Sequence, residues 1–401
     1  MPASNPTTRN RHTSTSNGLA VRCMNLQAAL NALHNSGPLT GPELGRALEV
    51  YPSTVKRLLE TLEDAGLVQS TLQTGDTQVG RPPKTWALRG ESGYVVGIHI
   101  DPKVMRAVVV DLSGQVCRRE TFRPTPPLTT ATLPRLAHEL ISLTVEDVPP
   151  HRILGLGVGM GGVVDPDSGM VTRAASLRDE AGASAMDYPL RDYLAELMPW
   201  PIHVANDANV GTLAIFRRLV RAGTVAPDGS LFYLFLTEHA SGIGSGLVLR
   251  GQPYTGAHGA AGEIMVPGRA LHEPEIRDLW STAVAGDVGA CRAVLELRRP
   301  MISHATALCQ TLDPDCVVLG GEFTALEPHA EAFVQELLAA TPDYWGYLDQ
   351  PPAQGVVTDP LWPDTIALGA AELVLEDLFR RPAPGEVGPL VTLAIGAEVV
   401  G

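Results

Sequence analysis

The chain has 401 residues, 44% of them hydrophobic, and a formal net charge of −14. That length can bury large cores and points to two or three domains, and the hydrophobic content excludes a disordered protein. The acidic balance excludes a nonspecific coat for nucleic acid, yet it is uneven: residues 1–90 carry nine Lys and Arg against six Asp and Glu, a net of +3, which leaves −17 on residues 91–401. A small basic module joined to a large acidic one fits a DNA reader attached to a regulatory domain. The cysteines at 23, 117, 291, 309 and 316 form no close ligand pairs and no disulfide framework. No signal peptide and no apolar run of transmembrane length occurs, so a cytoplasmic chain with reduced thiols and no membrane partner is expected.

In chain order, residues 1–18 are polar and aperiodic, and a flexible arm over 1–20 is expected. Leu26, Leu30 and Leu33 mark a first helix that ends near 34–37. Thr40 with Glu43 makes a capping box, and Leu44, Ala47 and Leu48 then recur at helical spacing. After a break at 49–51, Pro52 suits a first helical turn, and Val55, Leu58, Leu59 and Leu62 form the buried stripe of the next helix. Ser53, Thr54, Lys56 and Arg57 are left to face outward near its start. Residues of those types reach phosphates and base edges in a major groove, although an ordinary helical hairpin would show the same stripe. Gly66 stops this helix, and 67–72 with 84–88 pair as a wing. GRPPK at 80–84 is held extended by its two prolines. Its Arg81 and Lys84 suit a phosphate or a narrow minor groove, or a linker with exposed charges. These features bound a winged helix-turn-helix over 21–90.

From residue 94 the texture changes. Strands are predicted at 94–100, 104–112 and 116–122, then a helix near 136–145, a strand at 153–160 and a glycine turn at Gly161–Gly162. A strand at 202–207 runs into a helix. The strand–turn–strand pattern then begins afresh at 231–236 and 241–251. A helix at 288–312, a strand at 316–321 and a late helix at 366–378 follow. Two halves with the same opening indicate a duplicated α/β domain over 91–401, with a ligand cleft between the halves. Asn206, Asp207 and Asn209 sit where a strand gives way to a helix, which is the ligand crevice of an α/β sheet. A carboxylate there can accept hydrogen bonds from two hydroxyls or take a proton from one. Asn206 or Asp207 serving only as a helix cap is the plainer alternative. Glu263, in the small-residue loop GAHGAAGEI, needs a polar partner such as a sugar hydroxyl if it is buried.

The segments GPLTGPELGRAL…STVKRLLETLEDAGLV, GRPPKTWAL, GLGVGMGGVVDPDSGMV, HVANDAN, SGIGSGLVLRG, GAHGAAGEI and LDPDCVVLGG occur in this order. Together they resemble the ROK group of repressors and sugar kinases, and most of all its xylose-repressor-type members, over about 22–380. The resemblance implies an α+β winged helix-turn-helix followed by a duplicated α/β hexokinase/actin-like (ribonuclease-H-like) domain that binds a sugar in its cleft. It implies that Asn206, Asp207 and Glu263 contact sugar hydroxyls, Asp207 being the catalytic base in the kinases. It also implies that Ser53, Thr54, Lys56, Arg57, Arg81 and Lys84 lie at DNA.

The departures from the family pattern shape the functional expectation. Where family kinases carry an Asp-x-Gly-Gly-Thr type loop, this chain has His99–Ile100–Asp101–Pro102–Lys103, with a lost donor and an added negative charge. The second phosphate loop is partly kept as Ser241–Gly242–Ile243–Gly244, and Glu322 replaces the third glycine of a later turn. The histidine of the family zinc site is Val266 here, and its cysteine cluster is missing. His272, Glu273 and Glu275 read as ordinary loop charges. The expectation is therefore a regulator, a repressor in the first instance, with no catalytic residues, no cofactor and no metal. Its partners would be double-stranded operator DNA with an inverted repeat and a sugar or sugar-derivative effector, bound by a homodimer or dimer of dimers. Control by a partner protein, or an active ATP-dependent carbohydrate kinase, are the alternatives.

Overall fold

The computed structural model describes residues 12–72, 84–236, 243–263, 279, 282–283, 285–297, 307–321, 356–380, 382–383 and 386–396. It divides into two units, one of Met1–Ser92 with Leu375–Gly401 and one of Gly93–Val374. Residues 375–401 therefore group with the N-terminal residues, although the sequence placed them with the large domain.

The small unit opens with helix α1 (His12–Ser36), which begins inside the stretch expected as an arm. Leu26, Leu30 and Leu33 are buried along it, together with Ala29. A two-residue strand β1 (Leu39–Thr40) leads into α2 (Gly41–Leu48) and α3 (Pro52–Asp64). The capping box is present: the Glu43 carboxylate accepts from the Thr40 N–H at 2.7 Å, and the Thr40 hydroxyl accepts from the Glu43 N–H at 3.4 Å. The Thr40 N–H bond to the carboxylate, and after it a bond that the Thr40 hydroxyl donates to the same oxygen at 2.7 Å, lower the Glu43 pKa. Strands β2 (Val68–Leu72) and β3 (Lys84–Leu88) pair antiparallel, and β1 joins the other side of β3. This is a winged helix-turn-helix with the stripe Val55, Leu58, Leu59 and Leu62 buried as predicted.

The large unit begins with β4 (Tyr94–Ile100), β5 (Met105–Asp111) and β6 (Val116–Phe122), an antiparallel meander. After α4 (Leu133–Thr144), β7 (Ile153–Met160) returns parallel to β4. A separate sheet of β8 (Val163–Asp165), β9 (Met170–Arg178) and β10 (Ser184–Tyr188) is inserted here, followed by the short α5 (Leu190–Ala195). Strand β11 (Ile202–Asn206) adds to β7 and runs into α6 (Asp207–Arg221). The sheet order is β11-β7-β4-β5-β6.

The second half repeats the plan. β12 (Leu231–Leu236), β13 (Ile243–Leu249) and β14 (Gln252–Pro253) form a meander. After α7 (Val288–Leu297), β15 (Cys316–Gly321) and β16 (Val356–Thr358) add in parallel beside β12. The order β14-β13-β12-β15-β16 is that of the first sheet, with the two parallel strands again beside the first strand of the meander. This is the duplicated α/β architecture expected from the sequence. Of the helix expected over 288–312, residues 288–297 and 307–312 are helical among the described residues.

Helix α8 (Thr365–Phe379) closes the large unit and carries the chain back to the small one. There the Phe379 ring stacks on His34, with centroids 4.3 Å apart, and Gln27 Nε2 donates to the Leu378 carbonyl at 2.9 Å. A last helix, α9 (Pro389–Ile395), packs against α1 and α3. Among the described residues no helix is long and apolar enough to cross a membrane.

Candidate functional site

Two places carry the chemistry that the sequence singled out. The first is the crevice of the first sheet in the large unit. Parallel pairing sets Ile100 and Asn206 each opposite Met160. The residues that follow, Asp101, Gly161 and Asp207, therefore emerge at one sheet edge, where α/β sheets bind ligands. Asn206 caps α6: its Oδ1 accepts from the Asn209 N–H at 3.1 Å, and its Nδ2 donates to the Gly162 carbonyl at 2.8 Å. One side chain thus starts the helix and anchors the glycine turn after β7.

Asp207 is buried, with its Oδ1 accepting from the Ala208 N–H at 2.8 Å. Burial pushes its pKa up to about 7, the charges of Glu263 and Asp101 push the same way, and the Ala208 bond opposes them. Near neutrality such a carboxyl exchanges its proton readily, which suits a base. A Cβ at position 161 would lie 3.2 Å from Asp207 Oδ2, so glycine keeps the approach to the carboxylate open. Asp101 folds back on its own loop, its Oδ1 accepting from the N–H groups of Lys103 at 2.8 Å and Val104 at 3.3 Å. Burial raises its pKa as well.

Glu263 reaches this group from the second half of the unit. Gly259 and Gly262 both have positive φ, and a Cβ would lie 2.5 Å from the Val164 carbonyl oxygen in the first case and 2.4 Å from that of Ser245 in the second. The Ser245 hydroxyl also donates to the Gly262 carbonyl. The loop is therefore pinned between β8 and β13, which brings Glu263 within electrostatic range of Asp207. The Glu263 side chain is exposed by area, while the protein packed around its carboxyl pushes the pKa up. Val266, His272, Glu273, Glu275, Ser241, Gly242 and Glu322 lie outside the described residues. Among the described residues, no group of three His, Cys, Asp or Glu side chains is placed to hold a metal ion.

The second place is the outward face of α3. Ser53, Lys56 and Arg57 are exposed and Thr54 is half-buried, off the apolar stripe. Lys56 lies 3.7 Å from Glu60 in an exposed pair, which contributes little. Lys84 is more engaged than the sequence implied: its ammonium sits 4.1 Å over the Trp86 ring and 3.8 Å from Glu63. Arg81 lies outside the described residues. Tyr51, which sequence reasoning passed over, stands 81% exposed at the cap of α3. Its signal was an aromatic where a capping Ser or Thr is usual.

Residues 95–265 match the model of the ROK family. The xylose repressor of Caldicellulosiruptor bescii is 24% identical over 250 residues, which is 62% of this chain and 59% of that repressor. This chain thus spans somewhat over half the length of the curated relative it matches. A solved ROK-family transcriptional regulator, a homolog of the Escherichia coli MLC protein, shares the fold at a TM-score of 0.65 and 16% identity, over 94% of this chain and 99% of its own. The ROK hexokinase of Thermus thermophilus shares it at a TM-score of 0.52 and 24% identity, over 69% of this chain and 96% of its own. This last likeness corrects the expectation that the chain is no enzyme. The fold is one on which a sugar kinase is built, so altered loops do not by themselves remove catalytic potential.

Proposed function

We propose that this chain, which belongs to the ROK family, is a DNA-binding transcription regulator whose large unit responds to a sugar or sugar derivative. The observation that carries the reading is the outward face of α3, where Ser53, Lys56 and Arg57 project from a helix fixed by a fully buried stripe. Those side chains stand exposed and off the apolar stripe, and their types suit phosphates and base edges. The effector would sit at the crevice edge, its hydroxyls donating to Asp207 and Glu263, with Asn206 holding the turn and helix in place. A repressor is the form that the name of the xylose repressor supports, and we take it to act on an inverted repeat as a homodimer or dimer of dimers.

The test uses the full chain and a duplex enriched from a random library. Replacing both Lys56 and Arg57 by Ala is expected to weaken binding in an anisotropy titration by tenfold or more. It should also lower the slope of log K against log salt by about two, one per lost phosphate contact. An unchanged affinity and slope would reject this face. A second reading, sugar phosphorylation, is favoured by the Asp207 pKa of about 7, which suits a base that takes the proton of a sugar hydroxyl attacking a phosphoryl group. Sugar-dependent ATP turnover in a coupled assay, lost in Asp207→Asn, would establish it.

A further inference from the structure

We infer that Tyr51 sets part of the DNA sequence preference, by packing its ring on the C5-methyl group of a thymine in the major groove. The inference rests on the DNA-binding reading above. Tyr51 is the most exposed large hydrophobic side chain among the described residues, at 81%. Its backbone serves the fold, because the Tyr51 carbonyl accepts from the N–H groups of Thr54 at 2.9 Å and Val55 at 3.1 Å. Its side chain does not, since it makes no capping bond and φ −67°, ψ 150° is ordinary extended backbone. Pro52 at the next position fixes the start of the helix, so the ring is carried on a rigid base rather than on a floppy loop.

The distribution of charge along α3 decides how the helix can approach a duplex. Lys56 and Arg57 lie in its first half, and the exposed Glu60, Glu63 and Asp64 in its second. A helix laid lengthwise in the groove would press those three carboxylates towards the phosphates. An end-on approach keeps them away and presents the N-terminal tip, the part of a recognition helix that reads base edges. Tyr51 then leads, with Ser53 next along the chain and Arg57 further up the helix. The thymine methyl is the apolar feature of the major-groove edge, and an aromatic ring is a fitting partner for it.

The experiment enriches duplexes from a random library with the full wild-type chain and with Tyr51→Ala. Each thymine of the wild-type motif is then replaced singly by uracil, which lacks only the methyl group. At one position per half-site, uracil is expected to cost the wild type about fourfold in affinity, the worth of one buried methyl group. Tyr51→Ala should already carry that loss and be indifferent to uracil there, while Tyr51→Phe, which keeps the ring, should behave as wild type. The Tm of Tyr51→Ala should match the wild type, which separates recognition from folding. A motif and a thymine-over-uracil preference shared unchanged by Tyr51→Ala would overturn the inference and leave DNA binding standing, as would a wild type indifferent to uracil throughout. A wild-type chain that enriches no duplex would overturn both.

Discussion

Gly369→Ala is expected to cost the large unit about 4 kcal/mol or more, enough to leave much of the protein unfolded. Gly369 lies within α8, and a Cβ there would fall 1.7 Å from the Val210 carbonyl oxygen of α6. Real Cβ atoms do not come within 3.0 Å of such a neighbour, so one backbone must retreat by more than an ångström. Neither is free to do so. On its other contacts α8 lies directly on the first sheet, where Cβ atoms at Gly97 and Gly157 would fall 2.0 Å from the Ala367 carbonyl oxygen and 1.8 Å from that of Ala370. The Glu372 carboxylate also holds Arg221 of α6 at 2.9 Å. Overpacking between two backbones exceeds the usual penalty of added methylenes, because no side chain can rotate away. Gly41→Ala is the control, since a Cβ at Gly41 meets nothing within 4 Å and the position is helical. Urea titrations of the two variants should differ by that amount; a Gly369→Ala chain as stable as Gly41→Ala would refute the close crossing of α6 and α8.

The same contact explains which parts of this fold the sequence could reveal. The stripe Val55, Leu58, Leu59 and Leu62 and the box Thr40–Glu43 are local, so spacing alone displayed them, and both stand in the structure. The strand–turn–strand openings were legible for the same reason, and the shared sheet order of the two halves follows from them. What the chain hides is set by distant partners. The β8-β9-β10 sheet carries a weak alternating pattern and was not foreseen beyond the glycine turn at Gly161–Gly162 that precedes it. The return of residues 375–401 to the small unit depends on Phe379 meeting His34 and Leu378 meeting Gln27, pairs more than 340 positions apart. At the crevice, the sequence set Asn206 and Asp207 where a strand gives way to a helix, which is where they stand. That Asn206 is spent on both the helix and the glycine turn could not be read without the register of β7 and β11. Lys84 was assigned to DNA from its charge, and the engagement with Trp86 and Glu63 appears only once β3 is folded beside α3. The exclusion of catalysis failed for a related reason. It set two substituted loops above Asp207, the position of the base in the kinases, and the strength of a carboxyl as a base is a property of surroundings that the sequence does not display.

Those surroundings make Asp207→Asn a substitution that should stabilise the protein while removing the ligand response proposed for it. The Asp207 pKa lies at about 7 against an ordinary 3.8, so between those values the folded chain holds a proton that the unfolded chain has released. Stability contributed by the protonated form is complete below 3.8, declines as pH rises and is gone above about 7. The difference is worth on the order of 4 kcal/mol at pH 8. Asparagine resembles the protonated acid in shape and cannot ionise, so the variant should match the wild type near pH 4 and gain most of that amount at pH 8. Its Oδ1 can still accept from the Ala208 N–H, so the start of α6 is kept. The ligand would lose the acceptor for one hydroxyl in a desolvated crevice, about 1–3 kcal/mol of binding, or some 5- to 150-fold. Effector-dependent change in DNA affinity should fall below detection, along with any sugar-dependent ATP turnover, while DNA affinity without effector stays as in the wild type. Melting curves at pH 4 and pH 8, calorimetry with a panel of sugars and a coupled ATP assay read these outcomes separately. Equal stability of both chains at pH 8 would show that burial does not raise the Asp207 pKa, and an effector response retained by the variant would remove the carboxylate from the ligand site.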